Sequence, residues 1–373
     1  MSRFSDLVSK PARDMADYFA AAPQVRTGSQ SQLIKLDSNE NPFGPSRYAI
    51  KAMRSASPSS NFYPDDDCVE LSRKLAAQHA LSIDQVLVTA GSTEMIALLC
   101  QTMLAPGLNA VTSECSFLIY DMAVHAVGAD LRKTPLRDDG FDLAAIRAAI
   151  NEDTRIVFLA NPNNPTGTMV EAATIDHFLA EVPAHVVVVL DEAYYEFAAH
   201  FSALRKVEYS RSLEYVRSGA TVVGSDMVVL RSFSKAHGLA GLRIGYGLGP
   251  AELLAYCSRM RNVYSVSYLA QVAALAALGD HDHILQAVSN NSSQAVFLTE
   301  ELSKLGYRVI PTSSNFLCCD IGQDSSAIAD RLRDQGVSVR ALNGWGAPSS
   351  VRVTIGTPEQ NDFFLRAIRK IRV

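Results

Sequence analysis

Between about residues 67 and 275 the sequence alternates short, β-rich apolar runs with segments of helical period. QVLVT leads into STEMIALLCQTML, RIVFLA precedes TIDHFLAEV, and VVVVL and MVVLR follow. Strands separated by helix-length segments are joined side by side in parallel, with the helices laid over the sheet. The expected fold is therefore α/β, a large unit with a mostly parallel central sheet flanked by helices. Turn-forming clusters at Ala90-Gly91-Ser92, Asn161 to Gly167 and Gly238 to Gly241 each follow a strand-like run. Loops at the carboxyl ends of such strands are where open α/β sheets bind ligands.

After about residue 280 the pattern changes. A long helical stretch leads to shorter strands around Arg308, Asn315, Val337 and Val351, then to a helix through Asp362 to Ile371, which reads as a smaller α+β domain. We expect an N-terminal arm over residues 1–40, lacking a core of its own and packing on the small domain or on a partner. A large domain over 41–275 and a small C-terminal domain over 276–373 complete the division. Residues 200–225 separate two sheet strands by more than a tight connection needs.

With 48% hydrophobic and 20% charged residues, the 373-residue chain has the composition of a folded globular protein. Its 34 basic and 39 acidic residues leave a charge of −5, so no overall positive field draws nucleic acid or anionic lipid, and any phosphate site must be local. The longest aliphatic run, Val186 to Leu190, is far short of the roughly 20 residues of a membrane helix. Charges interrupt the N-terminal apolar stretches. The expectation is a soluble, cytoplasmic protein that binds neither nucleic acid nor membrane. Six scattered cysteines give neither a CxxC pair nor a Cys/His zinc pattern, so no metal site is expected. Cys318 and Cys319, in the apolar run NFLCCDI, read as a buried strand.

Three elements carry chemistry. In VLVTAGSTEMIALL a strand and a glycine turn open a helix whose first residues, Ser92 and Thr93, can hold a phosphate or merely cap the helix. In VVVVLDEAYYEF a buried strand ends in Asp191 and Glu192, placed to face a cation or to sit in solvent. In VVLRSFSKAHGLAGLRIGY a strand enters a Ser-x-Ser-Lys turn, with Arg243 downstream of Lys235. A lysine there can become a covalent catalyst through a Schiff base, and the hydroxyls and guanidinium suit a phosphate dianion.

Together with NPNNPTG at 161–167, LDSNENPFGPS at 36–46, YPD at 63–65 and VRVTIGTPE at 351–359, these segments resemble the fold type I, class I/II pyridoxal-phosphate-dependent aminotransferases. The nearer resemblance is to the histidinol-phosphate aminotransferases. It implies an enzyme that moves an amino group between an amino substrate and a 2-oxo acid, with pyridoxal 5'-phosphate as cofactor and a shared active site in a homodimer. Lys235 would hold the cofactor covalently and shuttle a proton. Asp191 would pair with the ring nitrogen, and Tyr194 and Asn164 with the ring's phenolic oxygen. Phe117 would stack on the ring, although it also reads as a core phenylalanine. Ser92, Thr93, Ser232, Ser234 and Arg243 would form the phosphate cup, and Tyr63 would reach the neighbouring subunit's phosphate. Arg352, Arg340 and Asn41 would bind substrate, Arg352 through an α-carboxylate and Arg340 through a substrate phosphate.

Other readings remain open on sequence. Gly245-x-Gly247-x-Gly249 superficially fits a dinucleotide loop but lacks the third spacing and comes late in the chain. A threonine-phosphate decarboxylase shares these motifs, and the broken bond at Cα depends on geometry. DYFAAAPQVRTG lacks the Tyr-x-Pro-Gly pattern common in histidinol-phosphate enzymes, Cys115 stands where prolines are common and His237 where an aromatic is frequent. A transaminase of a specialised pathway, acting on another amino acid, fits those departures.

Overall fold

The computed structural model describes residue 4 and residues 7–15, 33–218 and 226–371. The segment DYFAAAPQVRTG and the end of the 200–225 stretch lie outside the described residues.

Seven strands form the main sheet: β1 (Val86–Thr89), β2 (Asn109–Ser113), β3 (Asp130–Thr134), β4 (Thr154–Ala160), β5 (Val187–Asp191), β6 (Met227–Ser232) and β7 (Gly245–Leu248). Their spatial order is β1-β7-β6-β5-β4-β2-β3. The run from β6 through β5, β4 and β2 to β3 is parallel, and β7 lies antiparallel to both β1 and β6. This is the mostly parallel, helix-flanked sheet that the alternation of runs anticipates.

The inner strands β4, β5 and β6 are largely apolar because both faces are covered, whereas the edge strand β3 (DLRKT) is polar and mostly exposed. Successive residues point to opposite faces, so Val157, Leu159, Val188, Leu190 and Val229 enter one core, and Ile156, Phe158, Val189, Val228 and Leu230 enter the other. Helix α1 (Ser92–Met103) carries Met95, Ile96 and Leu99 into the second core. The two glycines of β7 are there for closeness. A Cβ at Gly245 would lie 2.6 Å from the Ser92 nitrogen, and one at Gly247 would lie 2.9 Å from the Met95 sulfur. The Gly-x-Gly-x-Gly run is thus a strand pressed against α1, not a dinucleotide loop.

The second sheet is antiparallel, with β8 (Arg308–Ile310), β9 (Phe316–Asp320), β10 (Arg340–Ala341) and β11 (Ser350–Thr354) in the order β8-β9-β11-β10. Leu317, Cys319, Val351 and Val353 pack against Leu298 and Leu302 of a long helix (His281–Lys304) and Phe364, Leu365 and Ile368 of the last helix (Pro358–Ile371). Cys318 and Cys319 are buried strand residues. Ile34–Lys35 pairs in parallel with Val337–Ser338, and Leu36 enters the same core, which fixes the approach of residues 37–41 to the main sheet. The described part of the long connection between β5 and β6 contains two helices, Tyr195–Arg205 and Ser212–Ser218. No helix among the described residues is long and apolar enough to cross a membrane.

Candidate active site

The carboxyl ends of β1, β4, β5 and β6 meet at one edge of the sheet, because Ala160 pairs with Asp191 and Gly245 pairs with both Thr89 and Ser232. A cavity of about 260 Å³ opens there, between the two sheets. Twelve of the fourteen candidate residues line it: Ser92, Thr93, Phe117, Asn164, Asp191, Tyr194, Ser232, Ser234, Lys235, Arg243, Arg340 and Arg352.

Lys235 follows β6 in a tight turn held by a hydrogen bond from the Ser234 N–H to Ser232 Oγ (3.1 Å). Its Nζ donates to the Ser38 carbonyl at 3.2 Å and lies 5.6 Å from the Tyr194 ring centre. Burial, reinforced by the Arg352 guanidinium, lowers the amine from 10.5 to about 7. A substantial share of an amine with that pKa is neutral at physiological pH, which is the form that attacks a carbonyl carbon.

Asp191 ends β5 and is buried. Burial pushes its carboxyl up to about 6, while hydrogen bonds from the Tyr120 hydroxyl (3.0 Å) and the Ala193 N–H (3.1 Å) pull in the opposite direction. Its neighbour Glu192 has a different task. It accepts from Arg231 Nη2 at 2.7 Å and Nε at 3.0 Å and from the Ser212 hydroxyl at 3.1 Å, within the sheet. The two acids at the strand end therefore separate by pleat into a cavity group and a structural ion pair.

Opposite them is an anion cradle. Gly91, with φ +82, precedes α1, whose first turn presents backbone N–H groups beside Ser92 and Thr93. A Cβ at Gly91 would lie 2.6 Å from Arg243 Nη2, so only glycine lets that guanidinium close on the helix N-terminus. Arg243 itself holds a left-handed backbone (φ +52), and its Nη1 donates to the Ala240 carbonyl at 3.1 Å and to Ser234 Oγ at 3.4 Å. A helix N-terminus, four hydroxyl groups and a guanidinium fit a phosphate dianion.

The other wall comes from the second sheet. Arg340 on β10 and Arg352 on β11 are direct cross-strand partners. Arg352 Nη1 donates to Asn164 Oδ1 at 2.5 Å and Nη2 to the Asp37 carbonyl at 2.9 Å. The Tyr194 hydroxyl accepts from Asn39 Nδ2 at 2.9 Å. Phe117 stands at the start of the helix Leu118–Ala126 with its ring edge-on to Tyr120 at 5.6 Å, so it faces the cavity as well as the core.

Two candidates stand apart. Asn41 is turned into the backbone: its Nδ2 donates to the Ala236 carbonyl at 2.8 Å and its Oδ1 accepts from the Phe43 N–H at 2.9 Å. It braces the turn at residues 41–44 and is not among the residues lining the cavity. Tyr63 is 81% exposed and stacks on Tyr264 at 4.5 Å, away from the cavity of its own chain. The cavity also holds residues the motif reading passed over. Ser38, Asn39 and Glu40 lie within LDSNENP, and Trp345 follows Arg340 in VSVRALNGWG. Tyr120 had one legible signal, its i, i+3 spacing from Phe117.

The family described as aminotransferase class I and II matches residues 31–368. Histidinol-phosphate aminotransferase 2 of Pseudomonas aeruginosa is 40% identical, over 100% of this chain and 99% of that protein. The histidinol-phosphate aminotransferase of Moorella thermoacetica is 41% identical over 91% of this chain and 85% of its own length. Among solved structures, histidinol-phosphate aminotransferase from Sinorhizobium meliloti in complex with pyridoxal-5'-phosphate superposes with a TM-score of 0.82 at 27% identity, covering 91% of this chain and 92% of that one.

Proposed function

We propose, for a chain that belongs to the class I and II aminotransferases, that the cavity binds pyridoxal phosphate on Lys235 and that the amino substrate is histidinol phosphate. The observation that carries the substrate reading is the pairing of Arg340 with Arg352. Like charges directly opposite on neighbouring strands destabilise a sheet, and here both guanidinium groups line one cavity. An anionic substrate offsets that cost.

The residues fit the cofactor. The helix N-terminus with Ser92, Thr93, Ser232, Ser234 and Arg243 takes its phosphate. Asp191, held by Tyr120, takes the protonated ring nitrogen, whose positive charge keeps the carboxylate ionised in spite of burial. Tyr194, oriented by Asn39, and the Asn164 amide, fixed through its carbonyl by Arg352, take the phenolic oxygen. Phe117 covers one ring face. Once bound, the cofactor supplies an electron sink that labilises bonds at the substrate's Cα. Lys235 Nζ would move the substrate's Cα proton as general base and acid, a role suited to an amine with a pKa near 7.

The same reading assigns Tyr63 to the phosphate of a neighbouring subunit. The exposed Phe62, Tyr63, Val263 and Tyr264 support a homodimer in which each site is completed by the other chain. It also takes residues 41–275 as the cofactor-holding domain and 276–373 as the domain that brings the two arginines, in a cytoplasmic enzyme.

Mixing the purified enzyme with histidinol phosphate and, separately, with each common amino acid, while following loss of the bound cofactor's absorbance, tests the reading. Histidinol phosphate is expected to react fastest. A faster reaction with an unphosphorylated amino acid would overturn the substrate assignment, and release of labelled carbon dioxide from a carboxylate substrate would identify a decarboxylase. Borohydride reduction and peptide mapping should place the label on Lys235; a label on another lysine would remove the residue assignment.

A further inference from the structure

A second cavity of about 220 Å³ lies beside the main one, and Phe117 and Trp345 line both. Its far walls are Thr112 and Ser113 at the end of β2, the turn through Cys115, and Leu131 and Lys133 on β3. Trp345 is the single tryptophan of the chain and is 7% exposed. Its indole packs among Ile310, Cys318 and Leu342, with Cys115 and Leu118 beside them. The same ring centre lies 6.0 Å from the guanidinium carbons of both Arg340 and Arg352. A substrate anchored at either arginine therefore lies within reach of the indole.

We propose that Trp345, with Phe117, is the wall between the two cavities and sets the largest side chain that the amino substrate can carry. This rests on the reading of the main cavity as the amino-substrate site. Behind the wall, the second cavity has an apolar side at Leu118 and Leu131 and a polar side at Ser113, Asp121 and Lys133. Joined to the main cavity, it takes an aromatic side chain with a hydrogen-bonding edge, such as an indole. One methylene of misfit in a closed pocket changes discrimination by about 10- to 200-fold, so removal of a whole indole is a large change in what fits.

The test uses the holoenzyme and two non-reacting amino acids, α-methyltryptophan and 2-aminoisobutyrate, whose Kd values are measured by titration calorimetry. Trp345→Leu keeps apolar contact with Ile310 and Leu342 while shortening the wall. It should improve the affinity for α-methyltryptophan relative to 2-aminoisobutyrate by about 10-fold or more. Trp345→Phe, which keeps an aromatic wall, should leave that ratio near the wild-type value. Adding Leu131→Phe to Trp345→Leu refills the second cavity from its far side and should cancel the gain. The turnover ratio of tryptophan to alanine should follow the same order. Equal changes in both affinities, or a gain that survives Leu131→Phe, would overturn the proposal, as would failure of every protein to bind either compound. Binding that follows the expected order in a protein that transfers no amino group would uphold the wall and refute the activity instead.

Discussion

The Tyr120 hydroxyl donates to Asp191 Oδ2 at 3.0 Å, and the Tyr120 ring lies flat on Phe158 at 4.6 Å. A buried carboxylate thus receives a buried hydroxyl whose position is fixed by stacking in the core. The bond opposes the rise that burial imposes on Asp191. Tyr120→Phe keeps the stack and removes the donor. A hydrogen bond to a charged group is worth about 1.5–3 kcal/mol, so kcat should fall about 10-fold or more while the fold persists. Because the lost bond favours the ionised form, the acid limb of the pH profile should move to higher pH. A pH-independent loss with an unmoved limb would assign Tyr120 to packing alone.

Lys235 gives a pH signature to the cofactor-free protein. Its amine titrates near 7 in the fold, against an ordinary value of 10.5, chiefly because of burial. Between those values the unfolded chain binds more protons than the folded one, so this residue's contribution to stability is complete above 10.5 and is lost as pH falls through 7. Lys235→Met removes the penalty. The melting temperature of the mutant should exceed that of the cofactor-stripped wild type most at pH 7 and below, and the gap should narrow toward pH 10. A gap independent of pH would contradict the depressed pKa.

The sheet was readable because its inner strands are buried on both faces, so that a short, β-branched run such as RIVFLA bounded by turn residues reads as a covered strand. The residues that touch the cavity were readable where a motif marks them, as at Lys235 or Asn164. Asn41 shows the limit of that reading. It shares LDSNENP with Asn39, yet Asn39 bonds Tyr194 and Asn41 bonds backbone, a difference set by the turn and not by residue type. Tyr120 and Trp345 escaped notice for a related reason. An aromatic residue in an apolar segment looks like core, and only the three-dimensional meeting of helix, strand and turn shows that one holds Asp191 and the other lines two adjoining cavities.

The adjacent acid Glu192 belongs to stability. Arg231 donates to it through two nitrogens and stacks over the Tyr195 ring at 3.4 Å. Both partners are buried, and removal of one leaves an uncompensated charge in the sheet, at a cost of about 3–5 kcal/mol. Arg231→Met should lower the unfolding free energy, measured by denaturant titration, by that amount. The double replacement Arg231→Met with Glu192→Leu should recover much of it. No loss in the single mutant would show that water or a rearranged neighbour satisfies Glu192.

Arg340 and Arg352 sit opposite each other but do not have the same task. Arg352 is buried and tied to Asn164 and to the Asp37 carbonyl, so it is held for one fixed contact. Arg340 is only half-buried, with the Trp345 ring centre 6.0 Å from its guanidinium carbon. If Arg340 holds the substrate phosphate, Arg340→Ala should lower kcat/KM for histidinol phosphate by about 10- to 150-fold, the equivalent of about 1.5–3 kcal/mol. A neutral amino acid such as leucine should lose far less. Arg352→Ala should weaken every α-carboxylate substrate and spare histidinol phosphate in part, because that compound has a hydroxymethyl group in place of the carboxylate. Steady-state kinetics of the two mutants on both substrates separate the roles. Equal losses on all substrates for Arg340→Ala would make the arginine structural and would turn the assignment toward an amino acid without a phosphate.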